Sequence, residues 1–152
     1  KIDEIRAVMA AGFDSIVDVK RRLEAVKQIR TQPDFEPLAG AFKRAANILK
    51  QAEKMKITVP AGVREDLLSE EAEKNLYSVL RQIESDVRSF IDKGDYSAAL
   101  QKMVNIKQNV DAFFDKTMVM AEDVNLRANR LALLKYLTSL FFRILDLSLL
   151  QG

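Results

Sequence analysis

Apolar residues recur at three- and four-residue spacings along almost the whole chain, and nowhere do they alternate with the period of two that a half-buried strand requires. Five glycines and three prolines in 152 residues leave little to interrupt that period. An all-α fold follows, a single bundle of about five to six helices over residues 1–152. Because 48% of the residues are hydrophobic, a domain of this size can bury its own core.

The same period sets the expected elements. A short first helix ends near Gly12, and Asp14 or Ser15 caps a second that runs to about Arg30. The prolines of TQPDFEP make a turn, a third helix spans about Glu36 to Met55, and ITVPAGV is the next linker. Ser69, Glu70 and Glu71 open a long acidic helix that stops at Lys93-Gly94, with the glycine beyond its end. Asp95 caps a fifth helix to about Asp115, KTMVMAED is an apolar crossing, and a last helix covers about Val124 to Leu147. FIDKGDYSAAL resembles part of a tetratricopeptide repeat, but no second copy follows at that repeat's spacing, so it reads as a simple helical hairpin.

Composition then removes whole chemistries. With no cysteine, histidine or tryptophan, the chain has no thiolate nucleophile, no imidazole base, no Cys/His zinc site and no disulfide. Its carboxylates form no pattern that demands acid–base work, and no glycine-rich loop cradles a phosphate, so no catalytic residue and no metal ligand is assigned. Arg143 and Asp146 interrupt the last apolar segment, which excludes a membrane span there. The chain opens at Lys1 inside a helical pattern, without a signal-peptide pattern, and reads as a domain of a longer, cytoplasmic protein. The small net charge of +2 conceals a segregation: residues 20–56 sum to +6 and residues 61–123 to −5. Such asymmetry favours one face turned towards a polyanion and another towards solvent or a basic partner.

Two stretches concentrate the candidates. On the last helix Leu126, Leu133, Leu134, Leu137, Leu140, Phe141 and Ile144 share one face, with Arg130 in its middle. A guanidinium in that position needs a carboxylate, for which Asp111, Asp115 and Asp123 are the candidates and Asp115 the choice; direct ligand contact is the alternative. Arg127 and Asn129 flank the stripe and are open to either role, while Met118 and Met120 read as core filler. On the third helix Leu38, Phe42, Ala45, Leu49 and Ala52 form the buried stripe. Lys43, Asn47, Lys50 and Lys54 line the opposite face at helical spacing, with Arg44 and Gln51 beside them and no acid among them. That face is either plain solvated surface or a phosphate-binding row in which Asn47 touches a base or sugar. Arg21, Arg22 and Arg30 of the second helix are expected to widen it.

The blocks AFKRAANILK (41–50), VDAFFDKTMVMAEDVNLRANRLALL (110–134) and FFRILDLSLL (141–150) are, in order and spacing, similar to the C-terminal segment of the β subunit of bacterial glycine–tRNA ligases. That segment resembles the helical anticodon-binding domain named for an Asp-Ala-Leu-Arg motif. Here the motif reads Val124-Asn125-Leu126-Arg127, with Asp123 one residue early. The resemblance implies binding of tRNA(Gly), and the reading of the helix faces puts forward Lys43, Arg44, Asn47, Lys50, Lys54, Arg22 and Arg127 as the residues that would contact it. It also implies partnership with an α subunit and the remaining β-subunit domains, with ATP and Mg2+ bound outside this domain. A helical interaction module docking an acidic partner is the rival reading.

Overall fold

The computed structural model describes residues 2–12, 15–146 and 149–150. Among these are seven α-helices: α1 (Ile2–Ala10), α2 (Ile16–Ile29), α3 (Phe35–Lys54), α4 (Glu71–Asp92), α5 (Tyr96–Val104), α6 (Lys107–Lys116) and α7 (Val124–Phe142). A single 3₁₀ turn, Glu65–Leu67, lies in the linker before α4. The architecture is all-α.

Local chemistry fixes most of the boundaries. The Ser15 hydroxyl accepts from the Asp18 amide and caps α2, whereas Asp14, the other candidate cap, lies outside the described residues. The Asp95 carboxylate accepts from the Ala98 amide at the start of α5. In both cases a side-chain oxygen satisfies an amide that the first helical turn leaves without a partner. Gly94 takes φ +76° just past α4, where its amide donates to the Ile91 carbonyl and the Asp95 amide to the Phe90 carbonyl. This pair of bonds reverses the chain and makes the α4–α5 hairpin.

The fifth expected helix is two. At Asn105-Ile106 the continuous ladder lapses into a shorter turn, the Ile106 amide donating to the Met103 carbonyl, and α6 begins afresh. No glycine or proline marks the break; Asn105, a weak helix former, is the residue at which it occurs. The change of direction lets α5 pack on α2 and α4 while α6 packs on α3 and α4.

The last helix also departs from expectation, ending at Phe142 rather than near Leu147, a residue outside the described set. Leu131, Ala132, Leu133 and Leu134 are all buried in succession, so α7 is enclosed on nearly every side at its middle. It packs against α3 and α4, and Phe42 meets Phe141 at 4.2 Å between ring centroids. After α7 the chain folds back onto α1, where the Asp146 amide donates to the Ala7 carbonyl.

Candidate nucleic-acid interface

The α3 stripe is buried as its spacing requires: Leu38, Phe42, Ala45 and Ala52 are inside and Leu49 is half-buried. Holding that stripe against α7 and α6 turns the opposite face outward. Arg44, Asn47, Lys50 and Lys54 are exposed there and Lys43 is half-buried. Among the described residues none of Lys43, Arg44, Lys50 and Lys54 is in an ion pair. Glu36, two turns upstream of Lys43 on the same face, is drawn off by Arg30 at 3.5 Å. Lys50 and Lys54 sit near the negative end of the helix dipole, which favours cations. Arg44 is partly committed, its guanidinium lying 4.6 Å from the centroid of the Phe114 ring.

The second helix does not widen this face. Arg22 is 2% exposed, and its guanidinium donates to the carbonyls of Val8 (3.2 Å), Ile144 (3.0 Å) and Gly12 and faces Asp18 (3.2 Å). It is removed from the RNA-contact set, because the carbonyls at the end of α1 and after α7 need donors and Arg22 supplies them. Arg30 is likewise held among Asp3, Glu4 and Glu36. Burial works against its charge, but Asp3, Glu36 and Glu4 outweigh it and raise the pKa. Arg21 lies beside Gly94, in a cleft shared with Lys93 and Arg143.

The polar residues of α7 resolve into separate roles. Arg130 is 6% exposed and pairs not with Asp115 but with Glu73 of α4, at 2.9 Å. It also donates to the Met118 carbonyl (2.7 Å) and the Ser69 hydroxyl (3.2 Å). Asp115 is exposed, Asp111 binds Lys107, and Asp123 caps α7 by accepting from the Asn125 and Leu126 amides. Asn129, 2% exposed, accepts from the Arg64 amide (2.7 Å) and donates to the Arg64 carbonyl (3.0 Å). That double bond is a clasp on the linker before α4, so its role is structural. Arg127 is half-buried on the first turn of α7, with its Nε enclosed and without a hydrogen-bond partner. Met118 is 72% exposed, contrary to its reading as core filler.

A cleft of about 480 Å3 lies between α4, α7 and the Ala61–Val63 turn, and it contains residues that sequence reasoning did not single out. Tyr77 and Tyr136 meet edge to face at 6.1 Å, Arg81 donates to the Tyr77 hydroxyl (2.9 Å), and Tyr136 donates to Glu84 (2.8 Å). Burial and then the Glu84 carboxylate push the Tyr136 phenol up. In the sequence the signal was the i, i+4 pair Tyr77/Arg81 on an otherwise acidic helix; nothing there pointed to Tyr136.

Helices arranged around a buried α7, with a cation row on α3 facing solvent, define a small all-helical domain. Residues 38–150 match the family described as the DALR anticodon binding domain, and the chain belongs to that family. It is 43% identical over 150 residues to the glycine–tRNA ligase β subunit of Trichlorobacter lovleyi, covering 99% of this chain and 21% of that protein. The Myxococcus xanthus β subunit is 42% identical over 153 residues (100% of this chain, 21% of that protein), and the Acinetobacter baumannii one 42% over 151 residues (99% and 21%). The chain thus spans about a fifth of the length of these curated relatives. No helix among the described residues is long and apolar enough to cross a membrane.

Proposed function

We propose that the chain is the tRNA-binding domain of a cytoplasmic glycine–tRNA ligase β subunit, holding the anticodon region of tRNA(Gly). On this reading ATP and Mg2+ are used elsewhere, mainly on the α subunit, and the domain works beside that subunit and the remaining β-subunit domains. The observation that carries the reading is the α3 row of half-buried Lys43 and exposed Arg44, Asn47, Lys50 and Lys54, its cations without ion pairs among the described residues, on a helix whose other face is packed. Membership of an anticodon-binding family and similarity to β subunits of that ligase support it.

Phosphate contacts release counterions, so each of Lys43→Ala, Lys50→Ala and Lys54→Ala is expected to weaken tRNA(Gly) binding and flatten its salt dependence by about one unit or less. Asn47→Ala is expected to keep the slope and reduce discrimination against an anticodon-substituted tRNA. The measurement is a binding isotherm at several salt concentrations, with Lys74→Ala on the exposed outer face of α4 as control. If Lys74→Ala loses as much affinity as the α3 variants, the α3 row is not the tRNA site and docking of an acidic protein partner becomes the better reading.

A further inference from the structure

The cleft between α4 and α7 has the size and the mixed aromatic and charged lining of a site for a small flat group. Its volume, about 480 Å3, lies within the ~300–1,000 Å3 common to small-molecule sites. Tyr77 and Tyr136 are both half-buried, so each presents part of a ring to the cleft while the rest is fixed in the fold. Their hydroxyls are held by two other residues of the cleft wall: Arg81 donates to the Tyr77 hydroxyl and Glu84 accepts from the Tyr136 hydroxyl. Neither ring must be ordered when a ligand arrives, which lowers the cost of stacking. Ala132 and Gly62 add small surfaces where a flat group could approach closely.

The polar groups differ in sign and in place. Arg81 is exposed, and its contact with Glu65 is long, 3.8 Å, so its charge remains open to a phosphate. Lys135 is exposed and has no ion pair among the described residues. Glu84 accepts from Tyr136 at 2.8 Å and from Arg88 at 3.4 Å, which leaves carboxylate lone pairs unused on a wall of the cleft. An acceptor in that position suits the exocyclic amine of a base and repels a carbonyl edge.

The cleft also adjoins the α3 row. Lys135 lines both this cleft and a neighbouring one formed by Leu49, Glu53, Lys56 and Val59 at the end of α3. Phe42 packs on Phe141 while Leu49 and Lys135 share a wall, so α3 and α7 run antiparallel and the lysine row leads towards Lys135. A strand whose phosphates lie along Lys50 and Lys54 meets Lys56 and Lys135 next, both of which line that neighbouring cleft.

We infer that Tyr77, Tyr136 and Glu84 form a pocket for a single flipped-out base bearing an exocyclic amine, with Arg81 and Lys135 holding its flanking phosphates. The inference rests on the chain being an RNA-binding domain and specifies where it takes a base and of what kind.

The test uses fluorescence anisotropy of end-labelled hexacytidylate and hexauridylate RNA with the 152-residue chain. Hexacytidylate should bind more tightly. Tyr136→Leu should weaken it about ten-fold with the salt slope unchanged, as loss of one aromatic–base stack does. Tyr136→Phe should keep most of the affinity, and Glu84→Gln should bring the two RNAs close together. Lys50→Ala should weaken both RNAs alike and flatten the slope. Circular dichroism establishes that each variant is folded, and if Tyr136→Leu is not, Glu84→Gln and Tyr77→Leu decide. Loss with Lys50→Ala but none with the cleft variants overturns the pocket and leaves the α3 reading standing. Loss with the cleft variants but none with Lys50→Ala supports the pocket and removes the α3 row. Equal binding of the two RNAs by the unaltered chain, or no binding of either, overturns the inference.

Discussion

Arg130 shows how far a single residue can be read. Its burial was legible, because a guanidinium in the middle of an apolar stripe has to be enclosed and paired. Its partner was not, because Asp111 and Asp123 are otherwise employed, Asp115 is exposed, and Glu73 lies 57 positions away. Glu73 is fully buried and accepts from the Glu70 amide and the Ser69 hydroxyl as well, so it serves the start of α4 and Arg130 together. Arg130→Met should therefore leave a carboxylate stranded in the core and cost ~3–5 kcal/mol. Thermal or denaturant unfolding reads this directly, and an unchanged midpoint would contradict the buried pair. Arg22 was misread for the opposite reason: in the run Lys20-Arg21-Arg22 nothing distinguishes the residue that turns inward, and only the placement of distant carbonyls decides it.

At the scale of elements, caps and turns were legible because their chemistry is local. Ser15, Gly94 and Asp95 stand where the sequence put them. The α5–α6 break was not, since it answers to the positions of α2 and α3 rather than to any residue that forbids a helix. The end of α3 holds a further local feature: Lys56 adopts φ +59°, with its amide donating to Glu53 and the Ile57 amide to Ala52. This is the same reversal that Gly94 makes after α4, carried by a residue with a Cβ. Lys56→Gly should raise stability by ~0.5–1 kcal/mol, since glycine enters the left-handed region without the steric penalty. The gain would appear as a higher unfolding midpoint with the denaturant slope unchanged; a lower midpoint would contradict it.

For the molecule as a whole, the all-α class and the packed stripe of α3 were legible from periodicity. The cleft was not, because its walls come from α4, α7 and the linker between α3 and α4, and the clasp of Asn129 on Arg64 that secures the linker has no sequence signature. The charge segregation along the chain also overstated the basic face, since Arg22 and Arg30 are consumed inside the fold. Arg22 joins the end of α1 to the segment after α7, so Arg22→Met should loosen both together. Amide hydrogen exchange should speed up in α1 and at Asp146 while the middle of α7 keeps its protection; a change confined to α2 would contradict the coupling. The placing of the tyrosines has an optical consequence. The chain has three tyrosines and no tryptophan, and two of the three, Tyr77 and Tyr136, stand 6.1 Å apart on the walls of one cleft. No indole masks their emission, and excitation can hop between them, so two of the three tyrosines reporting in the near ultraviolet report on that cleft and the third, Tyr96, on the core.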